Sequence, residues 1–225
     1  MSARELDFYF DYLSPYAFLA SREIGELCER HGALLHFKPV LFAGLLNHWG
    51  QLGPAEIAPK AQHVFKECLR HAILRGVEFR GPKHHPFRPL TALRVSLPEV
   101  AGDQQALVIE TLFAFGWSKA GHLGGDAEIA GALDAVGLDG TAMVGRSSEP
   151  AIKQLLLEST EEAISRGVFG IPTMLIEDEL FWGLDQLKYL DLYLSGRDPL
   201  RNVSMETFQN DGPSAWRPGV PPREP

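Results

Sequence analysis

The stretch FDYLSPYAFLAS, residues 10–21, decides how the chain is read. An aromatic-rich apolar run, LDFYF at 6–10, ends at Asp11, and Ser14-Pro15 then opens a segment with helical apolar spacing. A serine followed by proline at a helix start is an N-cap followed by proline at the first helical position. That alone accounts for the pair. Whether Ser14 also carries chemistry depends on what the rest of the chain brings to it.

Residues 5–10 read as a strand. Leu6, Phe8 and Phe10 fall on one face and Tyr9 on the other, so both faces are expected to be buried, as in a central strand. Residues 15–31 read as one helix, with Ala17, Ala20, Ile24, Leu27 and Cys28 at helical spacing and Gly32 as the stop. Residues 34–40 read as a second strand, which completes a βαβ unit. From about 41 to 165 the chain reads mainly helical, broken at Gly/Pro clusters, with helices over 103–117, 126–137 and 149–166. Strand signals return in GIPTMLIED and ELFWG, an antiparallel hairpin turning near Glu177–Glu179, followed by a helix over about 184–195. Pro172 sits where a cis-proline opens a strand, although a trans edge-strand proline fits the same residues. The sheet is therefore split by a long helical block. From Gly196 onward the chain carries six prolines, and an extended or mobile tail is expected.

The net charge of −8, from 29 acidic and 21 basic residues, argues against nucleic acid or an anionic membrane as the main partner. No apolar run approaches the roughly 20 residues that span a bilayer. The N-terminus lacks a signal-peptide pattern, so a cytosolic protein is expected. Cys28 and Cys68 form neither C-x-x-C nor a zinc spacing, and read as small core residues. The eight histidines, including the adjacent His84 and His85, show no metal-binding pattern, and no metal site is expected. No G-x-G-x-x-G follows the first strand, so a dinucleotide site is not expected. The glycine-rich GHLGGD at 121–126 reads as a loop.

Three motifs, DFYFDYLSPYAFLA at 7–20, GVFGIPTM at 167–174 and FWGLDQLKYL at 181–190, together resemble the thioredoxin-like 2-hydroxychromene-2-carboxylate isomerase family. That family is akin to kappa-class glutathione transferases and to disulfide oxidoreductases with an inserted helical domain. The resemblance spans about residues 5–195. It implies an α/β fold: a thioredoxin-like domain from 1–42 and 167–196, a helical insertion at 43–166, and a tail from 197 to 225.

The resemblance also implies glutathione as cofactor. Ser14 takes the place of the attacking cysteine of redox relatives. With no cysteine within three residues of it, dithiol exchange is not available. A serine hydroxyl at a helix N-terminus can instead hydrogen-bond a thiolate that the ligand brings. Ile171 and Pro172 would meet the cysteinyl part. Trp182, Gly183, Leu184 and Asp185 would meet the glutamyl end, Asp185 pairing its ammonium, capping a helix, or both. On the substrate side stand Asn47, Gln51, Leu52, His85 and Arg88. The lysine that the family often carries in this region is missing, and Lys60, Lys83, Arg88 or Arg94 could replace it. The implied reaction is glutathione-dependent cis–trans isomerisation in aromatic catabolism. Kappa-like transferase or peroxidase chemistry on electrophiles, and a non-catalytic thiol-peptide binding module, are the alternatives. Family members are commonly homodimers, and a homodimer is expected.

Overall fold

The computed structural model describes residues 3–204, so most of the Pro-rich tail lies outside the described residues. Among these, strands β1 (Glu5–Phe10), β2 (Leu34–Pro39), β3 (Thr173–Ile176) and β4 (Glu179–Trp182) form one sheet in the order β2-β1-β3-β4. β1 runs parallel to β2, from Glu5–Leu34 to Phe10–Pro39, and antiparallel to β3, from Leu6–Ile176 to Tyr9–Thr173. The strand expected at the centre is at the centre. Leu6, Phe8 and Phe10 enter the larger hydrophobic core, while Tyr9 enters a smaller one with Val40, Leu45, Val168 and Leu175.

The segment expected as one helix over 15–31 is two, α1 (Pro15–Ser21) and α2 (Ile24–His31). The Ser21 hydroxyl donates back to the Phe18 carbonyl at 2.8 Å. The N–H groups of Arg22 and Glu23 reach only three residues back, to Leu19 and Ala20, and the axis breaks there. Gly32, at φ +63°, ends α2 as its position suggests.

Between β2 and β3 come α3 (Phe42–Trp49), α4 (Ala58–Arg75), α5 (Leu90–Val95), α6 (Pro98–Ala101), α7 (Gln105–Phe113), α8 (Asp126–Asp134), α9 (Gly140–Ser147) and α10 (Pro150–Ser165). The helix expected over 103–117 is α7 flanked by a 3-10 turn and a wide π turn at Ala114–Ser118. That turn places Trp117 at the join of the two regions. Its indole N–H donates to the Tyr12 carbonyl at 2.9 Å, and the rings of Phe18, Phe65, Phe79 and His85 surround it. The carbonyl of Tyr12 precedes Ser14 by two residues, so a buried aromatic cluster fixes the loop that carries the serine. After β4, a 3-10 turn (Leu184–Gln186) leads into α11 (Leu187–Leu194). No helix among the described residues is long and apolar enough to cross a membrane.

Candidate active site

Ser14 lies between the end of β1 and the start of α1, and is 7% exposed. Its Oγ accepts the Ala17 N–H at 3.1 Å, so the cap expected from Ser-Pro is present. A hydroxyl has one proton and two lone pairs. The cap bond uses a lone pair and leaves the proton to be donated elsewhere. The loop before Ser14 is tied down by Asp11, which is completely buried. Its carboxyl oxygens accept the Leu13 N–H and the Phe42 N–H, each at 3.0 Å, and its backbone carbonyl accepts the Ser14 N–H at 3.1 Å. Burial pushes the Asp11 carboxyl up to about 7, against the opposing pull of the two N–H bonds.

The Ile171–Pro172 peptide is cis, the first of the two alternatives its sequence context left open; His85–Pro86 is cis as well, without such an expectation. The β1–β3 register ends at Tyr9–Thr173, so the sheet does not use the backbone of Ile171. Next to it, the Gly183 N–H donates to the Pro172 carbonyl at 2.9 Å. Gly183 is at φ +109°, and a Cβ there would lie 2.7 Å from Asp185 Oδ1, so only glycine fits. Asp185 caps no helix. It sits inside the 3-10 turn and, among the described residues, accepts only the Gln186 side-chain amide, at 3.2 Å, which leaves its exposed carboxylate facing the cavity.

Two cavities meet at this point and share Tyr16 and Ile171 as walls. One, of about 330 Å³, is lined by Trp182, Gly183, Leu184 and Asp185 together with Glu67 and His71 of α4. The other, of about 210 Å³, receives Ser14 and His85 and is otherwise walled largely by apolar residues of α3 and α4, such as Phe42, Leu46, Val64 and Phe65. The structure thus brings Ser14, Ile171, His85, Trp182, Gly183, Leu184 and Asp185 together, with Pro172 directly behind. It does not bring in the other substrate-side candidates. Asn47, Gln51, Leu52 and Arg88 are exposed and line neither cavity. Phe42, Ala43 and Leu46 of α3 line the cavity, whereas Asn47 stands one turn beyond Ala43 toward the exposed end of the helix, and Gln51, Leu52 and Arg88 lie in exposed loops outside α3. Among the proposed replacements for the missing lysine, Lys60 and Lys83 are exposed and Arg94 is half-buried, and none lines the cavity.

His85 Nε2 lies 2.9 Å from the Leu13 carbonyl. A carbonyl only accepts, so Nε2 carries the proton. Burial lowers the pKa of the ring, which is neutral at neutral pH. The Tyr16 hydroxyl donates a hydrogen bond to the Glu67 carboxylate, and burial raises its pKa. Sequence reasoning missed Tyr16, Glu67 and His71; the i, i+4 pair Glu67/His71 on α4 was the available signal. Cys28 and Cys68 are free and buried, with thiols pushed up to about 11 and about 12 by burial. Both stay protonated, so any thiolate at Ser14 must come from a ligand. Among the described residues no cluster of His, Cys, Asp or Glu is arranged to hold a metal ion.

A sheet of this order, with Ser14 at the start of the first helix and a cis-proline that opens β3, is a thioredoxin-like fold. The chain belongs to the DSBA-like thioredoxin domain family, which matches residues 5–195. It is 28% identical to the 2-hydroxychromene-2-carboxylate isomerase of Sphingobium xenophagum, over 85% of this chain and 98% of that protein. It is 30% identical to glutathione S-transferase kappa 2 of Caenorhabditis elegans, over 90% of this chain and 96% of the other. A solved 2-hydroxychromene-2-carboxylate isomerase superposes with a TM-score of 0.77 at 25% identity, over 92% of this chain and 100% of that one. These relatives support an enzyme of the isomerase and glutathione-transferase group.

Proposed function

We propose that the chain is a glutathione-dependent cis–trans isomerase of unsaturated aromatic compounds, in which the Ser14 hydroxyl holds the glutathione thiolate. The observation that carries this reading is the division of labour at Ser14: the cap takes a lone pair of Oγ, and the proton remains for a ligand in the cavity Ser14 lines, which shares Tyr16 and Ile171 with the second cavity. When bound, glutathione supplies reversible addition of sulfur to a conjugated carbon, which makes a double bond rotatable until elimination restores it.

The chain's residues fit this ligand. The Ser14 O–H donates to the sulfur position and favours its ionised form. The unpaired backbone of Ile171 extends the sheet onto a bound peptide. The carboxylates of Asp185 and Glu67 face one cavity and suit an ammonium group. The mostly apolar cavity on the other side of Tyr16 and Ile171 suits an aromatic acceptor and keeps water from it. Buried, protonated thiols suit a reducing cytosol, and the exposed Leu69, Ile73 and Leu74 of α4 suit a second copy of the chain.

Reduced glutathione should raise the thermal midpoint, because a ligand selective for the folded state stabilises it by about 2.7 kcal/mol at a hundred times its Kd. Absence of both a midpoint shift and a calorimetric signal at millimolar glutathione would remove the assignment.

A further inference from the structure

The substrate-side cavity has an unusual charge balance for a pocket whose relatives are named after a carboxylate. Among the described residues no lysine or arginine lines it. Its acidic lining residue is Glu56, a solvent-exposed carboxylate at the rim whose Oε1 accepts the Gly53 N–H at 2.6 Å. Gly53 also fixes where that carboxylate stands relative to the apolar wall. A Cβ built on it would meet Leu46 Cδ1 at 3.0 Å and Glu56 Oε1 at 3.1 Å, so the tip of Leu46 and the carboxylate flank the same point. The cavity's histidine does not offset this charge. His85 donates Nε2–H to the Leu13 carbonyl, and its burial keeps the ring neutral.

With the Ser14 O–H committed to the glutathione sulfur, an anionic substrate entering the rest of the cavity would leave water for a mostly apolar space with no cation to receive it and a carboxylate nearby. A ketone or ester would lose little hydration and needs at most one hydrogen bond. We propose that this cavity takes an uncharged, apolar unsaturated carbonyl compound and discriminates against the carboxylate analogue, with Glu56 and Leu46 setting the choice. The inference rests on the glutathione reading for which cavity receives the acceptor.

Benzylideneacetone and benzylidenepyruvate test it, since they share one skeleton and differ by a methyl or a carboxylate on the carbonyl. Their binding to the full chain is measured by calorimetry at neutral pH with S-methylglutathione present, whose capped sulfur adds to neither probe. The wild type should bind the ketone at least tenfold more tightly. Added salt should narrow the gap by screening the anion from Glu56. Glu56→Gln keeps an acceptor for the Gly53 N–H and should narrow the gap severalfold; Leu46→Lys combined with Glu56→Gln should invert it. Equal or tighter binding of the pyruvate by the wild type overturns the inference, whatever the variants do. So does a protein that binds neither probe, and if glutathione still raises its thermal midpoint, only this inference has failed. Ketone preference in a protein that ignores glutathione would instead retire the thiol mechanism and leave the selectivity standing.

Discussion

Replacing Asp11 by Asn should change how stability depends on pH, because this carboxyl is buried beneath the Ser14 loop. Its pKa is pushed up to about 7 in the folded chain, against an ordinary value of 3.8. A raised acid pKa means that the folded state holds the proton more tightly than the unfolded state. Between the two values the folded state binds more protons, so stability falls as pH rises and levels off above the folded pKa. The full effect is about 4 kcal/mol at 1.36 kcal/mol per pKa unit, and about 3 kcal/mol of it lies between roughly pH 4.5 and pH 8.5. Asn is neutral throughout. Its amide oxygen can accept one of the two N–H groups, from Leu13 or Phe42, but its NH₂ faces the other as a second donor, at a cost of about 1–3 kcal/mol. Urea unfolding of both proteins across this range should therefore show the variant less stable at the acid end and level with or above the wild type at the alkaline end. Parallel curves, differing by a constant, would refute the burial argument.

Two further outcomes are expected. Gly183→Ala forces a side chain into φ +109° and against Asp185, and should lower stability by about 1–3 kcal/mol while weakening glutathione binding, read by thermal shift and calorimetry; unchanged binding would take this turn out of the ligand site. Cys28 and Cys68, with thiols pushed up to about 11 and about 12, should react with a disulfide reagent on the order of a hundredfold or more slowly than an ordinary thiol until the chain is unfolded; fast labelling of the native protein would contradict their burial.

Local signals were legible in the sequence wherever one short segment decides its own geometry. The strand 5–10, the Ser14 cap, the proline opening β3, the hairpin and the glycine stop at Gly32 all depend on residues within a few positions of each other. The break in the first helix was not legible, because Ser21 differs from other surface serines only in the carbonyl its hydroxyl chooses. The candidate site divides in the same way. Ser14, Ile171, Trp182, Gly183, Leu184 and Asp185 sit in motifs and meet in space. The opposite wall comes from α3 and α4, whose apolar faces carry no mark that separates cavity lining from core. Carrying over the family's polar positions selected Asn47 and Gln51, which are exposed, Asn47 near the end of α3 and Gln51 beyond it. Asp185 reads equally as a cap and as a ligand partner, because aspartate near a helix start is often a cap; the 3-10 turn moves it off the capping position.

The central claim is that the Ser14 hydroxyl holds a borrowed thiolate while capping α1. The ultraviolet thiolate absorbance of bound glutathione, titrated with pH in wild type, Ser14→Ala and Ser14→Thr, tests it most directly. Losing the cap should cost about 1 kcal/mol of stability. Losing a hydrogen bond to a charged group should cost about 1.5–3 kcal/mol of thiolate stabilisation, which raises the bound thiol's pKa by about one to two units. Wild type should show thiolate at neutral pH, Ala should lose it along with at least tenfold in turnover, and Thr should restore most of it. An Ala variant with wild-type thiolate absorbance and turnover would contradict the claim and leave Ser14 as a helix cap.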